Sequence, residues 1–252
     1  MKGVFPPAIV LVCTCALQAQ IIGRVNRLPD GSEQARIQNN AKKALIAFVL
    51  SVKPVAPDTA RDRDSLDGPL VIISDPLIDA TAAPLQAGEE RAITTLGFFR
   101  RIRPGSFRRG THLLEESILT AGIFEDGTST GDPILLGRLI VRRSNMLQAV
   151  ETAVAALSNA GSHNIPRRQV VEEFQTLADS LNHWYLPLEQ QVGRDLYQSI
   201  VGRLLNLPEP RLGEPFPPTD FVSQQISSLN QQRVKLLASE PSLREAAVFI
   251  GR

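Results

Sequence analysis

The chain has 252 residues, 43% of them hydrophobic, with 27 basic against 26 acidic side chains. So even a balance argues against a protein built to coat nucleic acid, which carries a strong basic excess. The length is enough for one large domain or two small ones resting on a hydrophobic core.

The first twenty residues, MKGVFPPAIVLVCTCALQAQ, hold one charge, Lys2, an apolar run from Ala8 to Leu17 and a small-residue end. That layout is a secretory signal, and cleavage is expected after Ala19. The run of about ten residues is too short for a membrane span, which needs about 20. Two alternatives follow from the same stretch. Cys13 and Cys15 raise a lipid anchor, although Val12 and Thr14 stand where a small residue is required and both cysteines lie inside the apolar run. The weak basic region raises an uncleaved N-terminal anchor. Cleavage would remove both cysteines, leaving a chain without disulfides, with 26 basic and 26 acidic side chains.

From residue 20 to about 130, short runs rich in Val, Ile and Thr alternate with Pro, Gly and Asp clusters, which reads as strands and turns. Strands are expected at 21–27, 33–38, 43–53, 69–74, 89–96 and 113–124. The run ALIAFVLSV is apolar on both alternations, so it should be a central strand covered on both faces. Residues 54–68 lack periodicity and read as a mobile loop. Six or seven such strands fit a small two-sheet sandwich.

Between the fifth and sixth strands, FFRRIRPGSFRRG (98–110) carries five arginines, three phenylalanines and no acid. Arg100, Arg101, Arg103, Arg108 and Arg109 form a candidate patch for an anionic surface or acidic partner. The plainer reading is a solvated hairpin with its phenylalanines in the core.

FEDGTSTGDP (124–133) gathers acids, hydroxyls and glycines as a calcium or phosphate loop does. An EF-hand needs side-chain oxygens at alternate positions and a glutamate at position 12. Counting from Asp126, position 12 is Gly137. The stretch reads instead as a corner. Asp126-Gly127 suits a tight hairpin turn, and Asp132-Pro133 supplies a helix cap followed by proline in the first turn.

After residue 132 the period changes. Leu136, Ile140, Arg143, Leu147, Val150, Val154 and Leu157 form one stripe of a long helix. A second stripe, Val170 to Trp184, follows Pro166. A third runs from Leu188 to Leu204. A fourth runs from Val222 to Leu236, with Thr219 and Asp220 as candidate caps. Between the third and fourth, residues 206–218 hold five prolines and read as a stiff extended connection. Residues 242–251 form a candidate short final helix. Four amphipathic helices are expected to bury their stripes in a bundle. Arg143 interrupts its stripe and must reach the edge or find a carboxylate, with Glu172, Glu173 and Asp195 as candidate partners.

Chemistry-bearing sets are sparse. G-x-S-x-G occurs once, as Gly127-Thr128-Ser129-Thr130-Gly131, inside the stretch read above as a corner. Ser162-His163 is adjacent in sequence and reads as an exposed interhelical turn. His112 with Glu115 and Glu116 is the nearest approach to a metal set, but only Glu116 would share its strand face. His183-Trp184 ends the second helical stripe, where the helix dipole favours histidine. No cofactor and no metal site is expected.

RIQNNAKKALIAFVLSV (36–52) and SILTAGIFEDGTSTGDPILLGRLIVRRSNML (117–147) resemble segments of uncharacterised exported bacterial proteins. In those, an Ig-like β-sandwich ends in an acidic DGT-type turn and passes into a helical region. The resemblance implies export and a two-part architecture; it brings no activity, substrate or site residue.

The sequence therefore predicts an α+β chain: a signal peptide over 1–19, an Ig-like antiparallel β-sandwich over 20–130 and an α-helical bundle over 131–252. The leading functional expectation is a non-enzymatic, exported cell-envelope protein, periplasmic or extracellular, that binds another protein. The alternatives are an envelope hydrolase using a carboxylate pair, and a protein held on an anionic surface by the 100–109 arginines. No nucleic-acid partner is expected, and no transmembrane span in the chain after cleavage.

Overall fold

A computed structural model describes residues 20–27, 33–53, 70–94, 117–181, 188–208 and 217–239. The chain is α+β, and the described residues form two antiparallel sheets and four helices. The strands are β1 (Ile21–Arg27), β2 (Glu33–Asn39), β3 (Leu45–Lys53), β4 (Leu70–Ser74), β5 (Glu90–Thr94), β6 (Ser117–Phe124) and β7 (Ser129–Gly131). The helices are α1 (Pro133–His163), α2 (Arg167–Ser180), α3 (Leu188–Leu205) and α4 (Thr219–Leu237). One sheet has the order β1-β2-β5 and the other β4-β3-β6-β7. The expected loop at 54–68, the arginine segment, His112, His183-Trp184 and the segment 242–251 lie outside the described residues.

β3 sits between β4 and β6, and both of its faces are buried, as its doubly apolar sequence requires. Ala47 and Val49 pack with Val71, Ala121 and Ile123 against Leu135 and Leu139 of α1. Phe48 and Leu50 point the other way, toward Ile37 and Ala35 of the three-stranded sheet. A bulge between Leu45 and Ala47 shifts the phase, so Leu45 joins Phe48 on the inter-sheet side while Ile46 packs toward the helix. The order through the molecule is thus sheet, sheet, helix.

The corner at 124–133 is built as its residues suggest, with one addition. Phe124 N–H donates to Thr128 C=O at 2.8 Å, and Gly127 takes the positive φ of 80° that the turn needs. Asp126, by contrast, is not among the residues with positive φ. The chain then pairs briefly with β6 as β7, a three-residue strand too short to announce itself by alternation. Asp132 caps α1: its Oδ1 accepts from the N–H groups of Ile134 at 2.9 Å and Leu135 at 3.0 Å.

α1 is the central element of the helical half. It runs 31 residues, through Ser162 and His163, so that pair belongs to its last turn rather than to a connection. Asn164 ends it in the left-handed conformation. Ala149, Ala153, Ala156 and Ala160 are all buried, and small side chains at these intervals let neighbouring helices approach closely. α3 and α4 both pack on α1, and α2 packs on α3 through contacts such as Phe174–Tyr197, whose ring centroids lie 6.1 Å apart. The candidate caps of α4 are corrected: Pro218 occupies the N-cap, and Thr219 and Asp220 lie in the first turn without a capping bond.

Candidate functional site: the clasp and the exposed face of α4

Three arginines of α1 are each taken up by a carboxylate from another part of the chain. Arg138 pairs with Glu189 of α3. Arg142 donates to both oxygens of Asp79, Nη1 to Oδ2 at 2.9 Å and Nη2 to Oδ1 at 2.7 Å. Arg143 donates to Asp75, Nε to Oδ2 at 2.6 Å and Nη2 to Oδ1 at 3.3 Å, and both residues are fully buried. Arg143 is therefore taken up by Asp75 of the loop after β4, and not by Glu172, Glu173 or Asp195.

That loop, Asp75-Pro76-Leu77-Ile78-Asp79, works as a clasp. Asp75 Oδ1 accepts from Leu77 N–H at 3.1 Å, and Asp79 Oδ2 accepts from Asp75 N–H at 3.1 Å, which fixes its shape. Leu77 and Ile78 pack against the helical core. Gln232 of α4 donates from Nε2 to Leu77 C=O at 3.2 Å. Five consecutive residues thus tie the four-stranded sheet to α1 and α4 at once. Asp75 and Asp79, the two carboxylates of the clasp, are both engaged by guanidinium groups, so they do not form an open pair of the kind a carboxylate hydrolase uses.

The other sequence-level candidates separate. Ser162 Oγ donates to Ser158 C=O at 2.8 Å and His163 Nδ1 lies 3.1 Å from Asn159 C=O, so each is turned to its own helix rather than to the other. Among the described residues, no cluster of three His, Cys, Asp or Glu is placed to hold a metal, and no buried side-chain polar atom lacks a partner. Lys43, Asp126 and Thr128 form a surface knot at the corner. The Lys43 ammonium, bonded to Asp126, and the Thr128 hydroxyl hold that carboxyl down to about 2.

Two open features lie along α4. At its N-terminal end, Ser158, Ser162, Asn164, Thr219 and Ser223 line a cleft of about 340 Å³ between α4 and the end of α1. None of its lining residues is charged, so it has the size of a small-molecule site without a group that would orient a charged ligand. On the outer side, Ser227, Asn230, Gln231, Val234 and Lys235 border a shallow groove. Val234 is 63% exposed and Leu237 55% exposed. Sequence reasoning passed over this face because it follows only the buried stripe; the signal available was a run of Ser, Gln and Asn opposite that stripe, interrupted by Val234.

No family model, no curated protein and no solved structure matches the chain. Among the described residues, no helix is long and apolar enough to cross a membrane.

Proposed function

We propose that the chain is an exported cell-envelope protein that works by binding another protein, with the outer face of α4 as its contact surface. In this reading residues 1–19 are a signal peptide, 20–130 an Ig-like sandwich and 131–252 a helical bundle carried on it. The observation that carries the proposal is the pairing of Val234 and Leu237, both more than half exposed, with an outer face of Ser, Asn and Gln on which Lys235 is the charge beside the groove. The centre of a protein interface is depleted of charge and holds apolar anchors within neutral polar surroundings, and this face has that composition.

The test is cross-linked capture from the envelope fraction of the native cell, using the wild-type chain, V234D/L237D and a variant with Arg100, Arg101, Arg103, Arg108 and Arg109 changed to alanine. A discrete protein retained by the arginine variant and lost from V234D/L237D supports the reading. Retention by V234D/L237D, or an empty capture, sinks it. Loss from the arginine variant alone moves the contact to an anionic surface or acidic partner.

A further inference from the structure

We infer that α4 is a detachable helix, which opens from α1 as one piece while the sheets and the other three helices stay folded, and that the Asp75–Asp79 clasp sets how often it opens. This stands apart from the interaction reading and does not depend on it.

Only Val222, Leu229 and Leu236 of the 19 residues of α4 are buried, with Phe221 and Ile226 partly buried beside them. α1 buries twelve of 31 and rests on both other helices and the sheet. Among the described residues, α4 packs mainly on α1, and two of its side-chain bonds to neighbouring helices lie at the surface. Arg233 Nε donates to Glu151 at 3.0 Å, and Arg203 of α3 donates to Gln225 at 2.8 Å, both exposed. Exposed pairs of that kind contribute little.

The ends point the same way. No side chain caps the N-terminus of α4, where Pro218 holds the cap position. Thirteen residues separate α3 from α4 in sequence. Elements with few buried apolar contacts and exposed bonds open at free energies below that of global unfolding.

The clasp is the exception to the weak ties. The bond from Gln232 to Leu77 C=O is partly buried, and Leu77 is itself held by the Asp75 turn whose carboxylate is locked to Arg143. It fastens the C-terminal half of α4 to a loop whose shape is held by Asp75 and Asp79. Removing the Gln232 amide releases that fastening and leaves the clasp itself intact.

Hydrogen exchange of the full chain, followed by mass spectrometry and compared with Gln232→Ala, tests this. In the wild type, amides from Val222 to Leu236 are expected to share one protection level, at least about tenfold below that of Ala149–Leu157 in α1. In Gln232→Ala, the α4 level falls by a further factor of about five, and α1, α2, α3 and β3 are unchanged. Protection of α4 equal to that of α1 overturns the inference. So does fast exchange confined to the two ends of α4 with the turn at Leu229 as slow as α1, which is fraying. Unchanged α4 exchange in Gln232→Ala overturns the part assigned to the clasp.

Discussion

Arg143 of α1 and Asp75 of the loop after β4 form an ion pair with no solvent access, joining the helical half to the four-stranded sheet. Breaking such a pair from one side leaves a buried charge without this partner, at a cost of about 3–5 kcal/mol, whereas removing both charges is far milder. Asp75→Asn keeps the turn acceptor for Leu77 and loses the charge, so it isolates the electrostatic part. Asp75→Asn and Arg143→Met are each expected to destabilise the fold strongly. The double variant should recover a coupling energy of about 1–3 kcal/mol. Urea unfolding of the four proteins checks this; strictly additive losses would show that the two residues do not act as a pair.

Glycine at 122 is set by the inter-sheet gap. A Cβ there would stand 2.5 Å from Ile21 Cδ1 and 2.5 Å from Leu45 Cδ1, with Ala47 C=O at 3.1 Å. The two side chains can shift, but they belong to the packed layer between the sheets. Gly122→Ala should therefore cost about 1–3 kcal/mol, as overpacking does. Gly131→Ala is worse, since the Cβ would meet Thr120 C=O at 2.1 Å and the backbone holds φ at 98°. The expected order of thermal midpoints is wild type, then Gly122→Ala, then Gly131→Ala.

Much of this architecture is legible in the chain because its signals are local. ALIAFVLSV announces a strand buried on both faces, and Asp132-Pro133 announces the start of α1, since each follows from residues adjacent in sequence. The helical stripes are read for the same reason, with α3 observed at 188–205 against a predicted 188–204. The clasp is not legible in this way. Arg143 and Asp75 are 68 positions apart, and nothing in the spacing of SDPLID says which helix it will meet. The outer face of α4 is hidden for a different reason: periodicity marks what is buried, and the proposed contact face is defined by what is left out.

Asp126 offers a test by pH. Its hydrogen bond from the Lys43 ammonium, aided by the Thr128 hydroxyl, holds its pKa down to about 2, against 3.8 for an unperturbed aspartate. A depressed folded-state value means that the contact favours the fold above pH 3.8 and that this contribution is lost as pH falls toward 2. Carboxyl NMR titration should give a midpoint near 2 for Asp126 in the wild type. In Lys43→Met it should return toward 3.8. Both charges are well exposed, so added salt should narrow the gap between the two proteins. A wild-type midpoint near 3.8 would show that the surface knot does not persist in solution.

The cap of α1 isolates one further local effect. Asp132 Oδ1 accepts from two N–H groups that have no partner within the helix, and its charge sits at the positive end of the helix dipole. Asp132→Ala is expected to cost about 1 kcal/mol, within the usual range of about 0.5–2. Asp132→Asn keeps an oxygen acceptor and loses the charge, so its loss should be the smaller of the two. Because α1 is anchored on the sheet by Leu135 and Leu139 directly after the cap, the helix content should survive either change. Urea midpoints measured beside far-ultraviolet circular dichroism separate the outcomes: a lower midpoint with unchanged helix signal is a lost cap, whereas a lost helix signal would mean that Asp132 nucleates α1 rather than finishing it.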